Sequence, residues 1–189
     1  MNETSKADVR RFNDYLYKKI FVGKGIDIGS GDDPFGNGLF KYQVTCDTFD
    51  QKDGDAQNIH LFREEQYDFV YSSNCLEDLQ DPYTAFENWL KITKIGGYVI
   101  VSVPDEDLYE QGVFPSRFNG DHKWTFTILK EKSWSSKSIN VIKFLEKFCN
   151  IKILRIQLVD DKYDYSQINV DQTRKDAEAF IEFVVQRSK

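Results

Sequence analysis

The stretch Gly25-Ile-Asp-Ile-Gly-Ser-Gly-Asp-Asp-Pro34 decides the fold. A short apolar strand runs directly into a Gly-x-Gly turn. Glycines there allow positive φ and let a ligand lie directly against the backbone amides. A turn of this kind after the first strand of a parallel sheet is typical of a nucleotide-binding pocket. The stretch therefore predicts an α/β fold with a ligand site at the carboxyl end of its first strand.

The charge that follows the turn separates the possible ligands. A dinucleotide would place its pyrophosphate on the turn, and the full Gly-x-Gly-x-x-Gly pattern would supply a last glycine. That position is Pro34, and it follows Asp32 and Asp33, whose carboxylates disfavour a phosphate. S-adenosylmethionine has no phosphate and carries a sulfonium beside an ammonium, which carboxylates favour. The turn therefore indicates a methyl-donor site, with a nicotinamide oxidoreductase as the disfavoured alternative.

The composition describes an ordinary globular chain. Its 189 residues predict one domain, 1–189, and its net charge of −6 argues against a nucleic-acid partner. No apolar run approaches the ~20 residues of a membrane span, and the first residues lack the apolar segment of a secretory signal. The three scattered cysteines fit a reducing cytoplasm and offer neither a disulfide framework nor a zinc site. We therefore expect a cytoplasmic protein without a membrane span.

Strands and helices alternate along the chain, which predicts a parallel sheet with crossover helices. Asp81-Pro82 begins a helix that is expected to end at Gly96-Gly97, and His60 is interpreted as a half-buried strand residue. Strands are predicted at 25–28, 42–46, 69–72, 98–103, 151–158 and 180–185. The predicted parts are a first helix at 6–21, a donor-binding core at 23–104, an irregular acceptor-side loop at 105–127, and a C-terminal helix with strands at 134–187.

Two acidic positions after the first strand fit a nucleoside. Asp47, at the end of the predicted second strand, can accept hydrogen bonds from both ribose hydroxyls. Asp55 can bond the adenine amino group while Ala56 leaves space for the ring. Asp50, Asp53 and Asp55 resemble a calcium loop, but no glutamate closes it at the required spacing, so no metal is expected.

Together these segments resemble the class I S-adenosylmethionine-dependent methyltransferases over roughly residues 23–127. The matching motifs are Gly25-Ile-Asp-Ile-Gly-Ser-Gly31, Asp47, Gly54-Asp-Ala56, Tyr67-Asp-Phe-Val-Tyr-Ser-Ser-Asn-Cys-Leu-Glu77 and Lys94-Ile-Gly-Gly97. The resemblance implies a Rossmann-like fold with a mostly parallel, seven-stranded sheet flanked by helices. The chain differs from the family at Asn74 and Asp78, where family members commonly carry histidine.

The resemblance also implies roles for individual residues. Asp27 and the turn formed by Gly29, Ser30 and Gly31 would hold the methionine portion of the donor. Asp47 would take the ribose and Asp55 the adenine. Ser73 and Asn74 would close the pocket beneath the sulfonium.

The segment after the predicted central strand contains Val103-Pro-Asp-Glu-Asp-Leu-Tyr-Glu110, Pro115-Ser-Arg-Phe-Asn119 and Asp121-His-Lys-Trp-Thr-Phe-Thr127. These motifs are similar to those of small bacterial methyltransferases found with surface-polysaccharide or capsule genes. That similarity implies O-methylation of a sugar or of a phosphorylated, sugar-linked precursor. The Asn-Pro-Pro-Tyr type of motif of amino-methylating nucleic-acid enzymes is replaced by Ser72-Ser-Asn-Cys75. A non-catalytic, regulatory S-adenosylmethionine-binding protein is the alternative, and a homodimer is left open.

Methyl transfer to a hydroxyl usually needs a base. His122, oriented by Asp121, is one hypothesis, and a loop histidine packed on Trp124 is the structural alternative. Asp105 is a second possible base. Arg117 and Lys123 could hold an acceptor phosphate or carboxylate, or could be solvated loop charges. Tyr109 and Trp124 are expected to form the wall of the acceptor pocket. The segment 160–176 is interpreted as a hairpin excursion, an acceptor-site flap or a dimer contact.

Overall fold

The computed structural model describes residues 3–189, and a six-stranded sheet forms its centre. The strands lie in the spatial order β2-β1-β3-β4-β8-β7, and only β8 runs antiparallel to its neighbours. Their bounds are β1 Gly23–Ile28, β2 Val44–Phe49, β3 Tyr67–Ser73, β4 Thr93–Pro104, β7 Ile151–Val159 and β8 Phe180–Arg187. A separate pair joins β5 (Thr125–Thr127) to β6 (Ser138–Asn140) in parallel. The predicted Rossmann-like α/β class is confirmed.

The main sheet has six strands instead of the seven that the resemblance implies, and His60, interpreted as a strand residue, lies in a helical turn at Ala56–Leu61. Asp55 begins this turn by accepting a hydrogen bond from the Gln57 amide at 2.9 Å. The Asn88 amide and the Trp89 indole then donate to the carbonyls of Gln57 and Ala56 at 2.8 and 2.9 Å. These two carbonyls accept hydrogen bonds from side chains and not from a neighbouring strand. No further strand pairs with β2 in the described chain, and β2 is the edge strand of the sheet.

The predicted first helix is divided into α1 (Glu3–Arg11) and α2 (Tyr15–Ile20). Asp14 accepts a hydrogen bond from the Leu16 amide at 2.8 Å and so begins a new helix instead of continuing the old one. The third helix, α3 (Pro82–Ile92), begins at the predicted Asp81 cap. Between residues 3 and 189 no helix combines the length and apolar character needed to cross a bilayer.

Two predicted helix bounds are wrong. The helix α3 ends at Ile92, and Thr93 Oγ1 donates a hydrogen bond to the Trp89 carbonyl at 2.8 Å. Gly96-Gly97, the predicted end of this helix, lies within β4. The C-terminal helix α4 covers only Val141–Leu145, and Trp134 lies outside it. Since α4 starts at the Asn140 side chain, which caps the Lys143 amide at 3.0 Å, the residues before it stay irregular or extended.

Apolar clusters cover both faces of the sheet, so its central strands are buried on both sides. One cluster packs α3 and α4 against the sheet through residues such as Phe86, Trp89 and Phe144. The other is rich in aromatic side chains from α2 and the turn after β1, including Phe21 and Phe35. Packing on both faces fixes the carboxyl ends of β1 and β3 at one end of the sheet, where the predicted ligand turn lies.

A buried ion pair attaches α1 to the sheet. Arg11 is fully buried, and its Nε donates to Glu182 Oε2 at 2.7 Å. The same guanidinium donates to Tyr71 OH and Ser102 Oγ, both at 3.0 Å, and therefore contacts β3, β4 and β8. Burial alone would raise the pKa of Glu182, but the charges of Arg11 and Arg10 hold that pKa well below its ordinary value.

We expect Glu182→Leu to lower the free energy of unfolding by about 3–5 kcal/mol, because Arg11 would remain buried without its carboxylate. Chemical denaturation measures the change. Asp176→Asn is the matched control, since the Lys162–Asp176 pair spans 3.9 Å with both side chains more than 70% exposed, and its loss is expected to cost less than about 0.5 kcal/mol. Similar values for the two variants would contradict the anchoring role of Glu182.

Candidate active site

The glycine turn after β1 faces open space. Gly29 and Gly31 have φ values of 77° and 49°, a region that side chains rarely adopt. A Cβ on Gly29 would come within 2.6 Å of Cys75 Cβ, whereas a Cβ on Gly31 would meet no atom within 4 Å. Gly29 is therefore required by close packing. Gly31 is favoured by its positive φ, and the open space beside it leaves room for a ligand against the backbone.

A first cavity of about 320 Å³ lies on one side of this turn. Its lining combines acidic side chains with small or apolar ones, as a nucleoside site requires. The lining residues are Gly29, Gly31, Asp50, Gln51, Gly54, Asp55, Ala56, Asn74, Cys75, Asp78, Leu79, Asp121 and Lys123.

A second cavity of about 490 Å³ adjoins the first and shares Gly29, Gly31 and Asn74 with it. Carboxylates and hydroxyls dominate its lining. The other lining residues are Glu3, Thr4, Ser30, Asp32, Asp33, Ser73, Thr173 and Arg174. The two cavities together form one cleft at the carboxyl ends of β1 and β3, where open α/β sheets bind ligands.

The acid at the end of β2 is Asp50 and not the predicted Asp47. Asp50 Oδ2 accepts a hydrogen bond from the Gly31 amide at 3.0 Å, inside the first cavity. Asp47 lies within β2 opposite Ile26 and accepts from the Tyr67 hydroxyl at 2.9 Å, outside both linings. The strand continues to Phe49, three residues beyond its expected end, and this moves Asp47 away from the turn.

The predicted adenine residues and strand-end residues do line the cleft. Asp55 and Ala56 contribute to the first cavity, and Ser73 and Asn74 to the second. Asn74 adopts a φ of 54°, and its buried Oδ1 has no hydrogen-bond partner within residues 3–189. Asn74 belongs to the lining of both cavities and therefore marks the point where they join.

Asp27 supports the turn from beneath. It is 1% exposed, lies in neither lining, and accepts a hydrogen bond from the Phe35 amide at 2.8 Å. Burial raises the pKa of this carboxyl to about 7. The structure thus places Asp27 behind the turn as a support and does not bring it to the ligand cleft.

His122 is buried in a carboxylate cluster and lines neither cavity, although its neighbours Asp121 and Lys123 line the first one. Its Nδ1 lies 2.6 Å from Glu110 Oε1, and its Nε2 lies 3.9 Å from Glu77 Oε1. Burial opposes a positive charge here, but the hydrogen bond to Glu110 and the charge of Glu77 give a net rise in the pKa of His122. Glu110, not the predicted Asp121, orients the ring, and Asp121 lines the first cavity instead.

Asp105 does not face the cleft as a free base. Its side chain caps the short helical turn Glu106–Glu110 by accepting from the Asp107 and Leu108 amides at 3.0 Å each. Burial raises its pKa to about 6. Since both amides hold the same oxygen in place, the geometry is that of a structural cap.

The predicted acceptor residues are dispersed. Lys123 lines the first cavity, where its ammonium donates to the Asp78 carbonyl. Arg117 is exposed and contacts Asn169, Tyr109 packs on His122 with ring centroids 5.3 Å apart, and the Trp124 indole donates to the Leu79 carbonyl at 2.9 Å. None of these last three lines either cavity.

The lining of the second cavity includes four residues that the sequence did not predict as part of the site. Glu3 and Thr4 come from α1, and Thr173 and Arg174 come from the β7–β8 connection. That connection includes the predicted excursion 160–176, and its last residues border the cleft. No local pattern marks these four residues, because only the tertiary fold brings the two segments to the turn.

Comparisons with known proteins identify the family. Residues 4–139 match a family model described as a methyltransferase domain, and the chain belongs to that family. No significant match was found among curated proteins.

Solved structures share the fold at low identity. A proposed sarcosine dimethylglycine methyltransferase from Galdieria sulphuraria is 13% identical, with a TM-score of 0.63 over 97% of this chain and 85% of that one. Phosphoethanolamine N-methyltransferase 2 from Haemonchus contortus, in complex with S-adenosyl-L-methionine, is 12% identical, with a TM-score of 0.60 over 97% and 52%. A SAM-dependent methyltransferase from Archaeoglobus fulgidus is 15% identical, with a TM-score of 0.57 over 96% and 92%.

The protein is an S-adenosylmethionine-dependent methyltransferase. The cleft fits this cofactor, because the turn offers a concave backbone surface and the first cavity places carboxylates beside Ala56 and Leu79. The prediction of a methyltransferase enzyme with this cofactor is confirmed. The alternatives of a nicotinamide oxidoreductase and of a non-catalytic binding protein are therefore wrong.

The buried carboxyl of Glu77 is expected to make the free energy of unfolding depend on pH. Burial raises its pKa to about 8, although the charge of His122 lowers it, and neither carboxylate oxygen has a hydrogen-bond partner within the described chain. A raised pKa in the folded state means that stability is fully present below the unfolded value of ~4.3 and is lost as pH rises toward about 8.

We expect Glu77→Gln to lose less stability than the wild type between pH 5 and pH 9, because the variant cannot ionise at this position. The melting temperature of the variant relative to the wild type should rise over this range by several degrees, at roughly 2–4 °C per kcal/mol. Glu64→Gln, at an exposed position, should show a difference that does not depend on pH. A pH-independent difference for Glu77→Gln would contradict the prediction.

Proposed function

We propose that the protein transfers a methyl group to a hydroxyl of a small, neutral, sugar-like acceptor that enters the second cavity. The observation that carries the proposal is the lining of that cavity, which adjoins the first at Gly29, Gly31 and Asn74. The bound cofactor supplies an electrophilic methyl group on a sulfonium sulfur. Every other requirement is one of binding, orientation and proton removal by the chain.

The first cavity is proposed to hold the nucleoside part of the cofactor. Asp50 is suited to the ribose hydroxyls, because it is already fixed by the Gly31 amide. Asp55 and Ala56 border the part of the cavity proposed for the adenine. The turn from Gly29 to Gly31, including Ser30, continues into the second cavity and is suited to the methionine portion.

The charge of the second cavity supports a neutral acceptor over a phosphorylated one. Glu3, Asp32 and Asp33 line it, and Arg174, the one cation among the lining residues that the structure describes, pairs with Asp171 at 3.0 Å. Carboxylates accept hydrogen bonds from sugar hydroxyls, and hydroxyl side chains both accept and donate them, whereas the negative charge of the carboxylates repels a phosphate. Surface-polysaccharide biosynthesis remains the proposed context, and it rests on the sequence resemblance alone.

An amine acceptor is the second proposal. The same carboxylates can hold an ammonium group. Two of the structural relatives are a proposed sarcosine dimethylglycine methyltransferase and a phosphoethanolamine N-methyltransferase. An amine also needs a base, since it must lose a proton before or during methylation.

We expect Asp50→Ala to weaken binding of S-adenosylhomocysteine at least tenfold, or about 1.4 kcal/mol, because a charge-assisted hydrogen bond would be lost. Asp47→Ala serves as the matched control and should change the affinity less than about twofold. Isothermal titration calorimetry measures both. A larger loss for Asp47→Ala than for Asp50→Ala would contradict the assignment of the ribose acid.

We expect methyl glucoside to be methylated with a kcat/KM at least tenfold higher than that of glucose 6-phosphate, because the carboxylates of the second cavity repel the phosphate. Release of S-adenosylhomocysteine is the measurement, with sarcosine and histamine as amine acceptors in the same panel. Preference for an amine would support the second proposal instead. Preference for glucose 6-phosphate would contradict the argument from charge.

A further inference from the structure

The edge strand β2 has backbone groups that point away from the sheet. The Phe49 carbonyl accepts a hydrogen bond from the Gly29 amide at 2.8 Å and therefore points toward β1. Because backbone groups alternate in direction along a strand, the amides and carbonyls of Val44, Cys46 and Thr48 point away from β1. None of these groups has a hydrogen-bond partner among residues 3–189. They form a row to which another strand can add.

The opposite edge of the sheet is protected against such pairing. There β7 carries Lys152 and Arg155, and its register with β8 shifts between Ile153 and Arg155. Charged side chains and irregular register keep an edge strand from pairing with another chain. By contrast, β2 contains no basic residue and no proline, and its register with β1 is continuous from Val44 to Phe49. The two edges therefore differ in their capacity to bind a further strand.

We propose that β2 pairs antiparallel with β2 of a second copy of the chain, about a two-fold axis at Cys46. In this register Cys46 lies opposite its own counterpart, and Val44 of each copy lies opposite Thr48 of the other. Each of these residues then exchanges both of its backbone groups with the residue opposite, as in a hydrogen-bonded antiparallel pair. The contact is the same from both sides, as a closed dimer requires.

The side chains of β2 complement one another in the same register. Thr45 lies opposite Asp47 of the second copy, to which its hydroxyl can donate a hydrogen bond. Asp47 already accepts from the Tyr67 hydroxyl at 2.9 Å and pairs with the Lys24 ammonium at 3.3 Å, so its charge is compensated within its own chain. Thr45 and Thr48 are exposed, and their short side chains leave room for a second strand.

The charges at the two ends of β2 are also complementary. Lys41 and Tyr42 come just before the strand and are exposed, Tyr42 at 90%. Asp50 and Asp53 come just after it. Antiparallel pairing brings the basic end of one copy to the acidic end of the other, and this happens at both ends of the contact. A second copy of the chain is therefore the partner that this edge fits.

The pairing adds residues to the cofactor cleft of the other copy. Asp50 and Gln51, which follow β2, line the first cavity. Lys41 and Tyr42 of the second copy lie opposite them in the proposed register. A consequence, which rests on the proposed position of the nucleoside in this cavity, is that the dimer binds the cofactor more tightly than an isolated chain.

The mass in solution tests the pairing, measured by sedimentation equilibrium between about 1 and 100 µM chain. The wild type should reach twice the 22.1 kDa of one chain. Thr45→Glu places a carboxylate opposite Asp47 twice in the dimer and should weaken dimerisation by about tenfold or more. Thr45→Lys, the matched variant, places an ammonium there and should dimerise at least as well as the wild type.

A second pair of variants tests the backbone contact. Thr48→Pro removes an amide that points away from β1, a position at which an edge strand tolerates proline. This variant should be monomeric with a cooperative melting transition, whereas Thr48→Ala keeps the amide and should remain a dimer. If Thr48→Pro does not fold, the two Thr45 variants decide the question.

Calorimetric titration with S-adenosylhomocysteine tests the contribution to the cleft. Tyr42→Ala should weaken binding by about threefold or more in the dimer and should have no further effect in the Thr48→Pro background. Thr48→Ala should bind as the wild type does.

The contrary outcomes are distinct. A wild type that is monomeric throughout the concentration range would overturn the pairing. A dimer that Thr45→Glu and Thr48→Pro leave intact would overturn the assignment of the interface to β2. Unchanged affinity in Tyr42→Ala would overturn the contribution to the cleft and leave the pairing in place. No binding of S-adenosylhomocysteine by the wild type would overturn the proposed cofactor position, while the masses would still decide the pairing.

Discussion

The fully buried contact between Arg11 and Glu182 determines where the rest of the site can lie. A single planar guanidinium contacts Glu182 on β8, Tyr71 on β3 and Ser102 on β4, so α1 has a fixed position across three strands. Burying the charges of Arg11 and Glu182 has a desolvation cost, which their mutual attraction and the hydrogen bonds to the other partners offset. Because α1 is attached there, its first residues reach the carboxyl end of β1 and complete the second cavity.

The parts of the fold that local chemistry controls could be predicted from the sequence. The positive φ of Gly29 and the cap-and-proline start of α3 each depend on a few neighbouring residues. The helical turn at Ala56–Leu61 could not be predicted in this way. It is held by Asn88 and Trp89, more than 30 residues later in the chain, so an apolar segment that reads as a strand forms a turn instead.

The same difference between local and long-range contacts explains which site residues could be predicted from the sequence. Asp55 and Asn74 follow recognisable motifs and do line the cleft. Which acid reaches the turn depends on where β2 ends: the strand ends three residues later than predicted, so Asp50 and not Asp47 contacts the Gly31 amide. For His122, sequence reasoning chose the adjacent Asp121 as its partner. The partner in the structure is Glu110, which the fold brings close from twelve residues earlier.

The ammonium of Lys6 and the carbonyl of Thr173 are 167 residues apart in sequence. Closing a loop of that length has a larger entropic cost than pairing β1 with β2, whose residues lie close in the chain. The second cavity therefore depends on a long-range contact between the two ends of the chain, and this contact can open locally without disrupting the sheet.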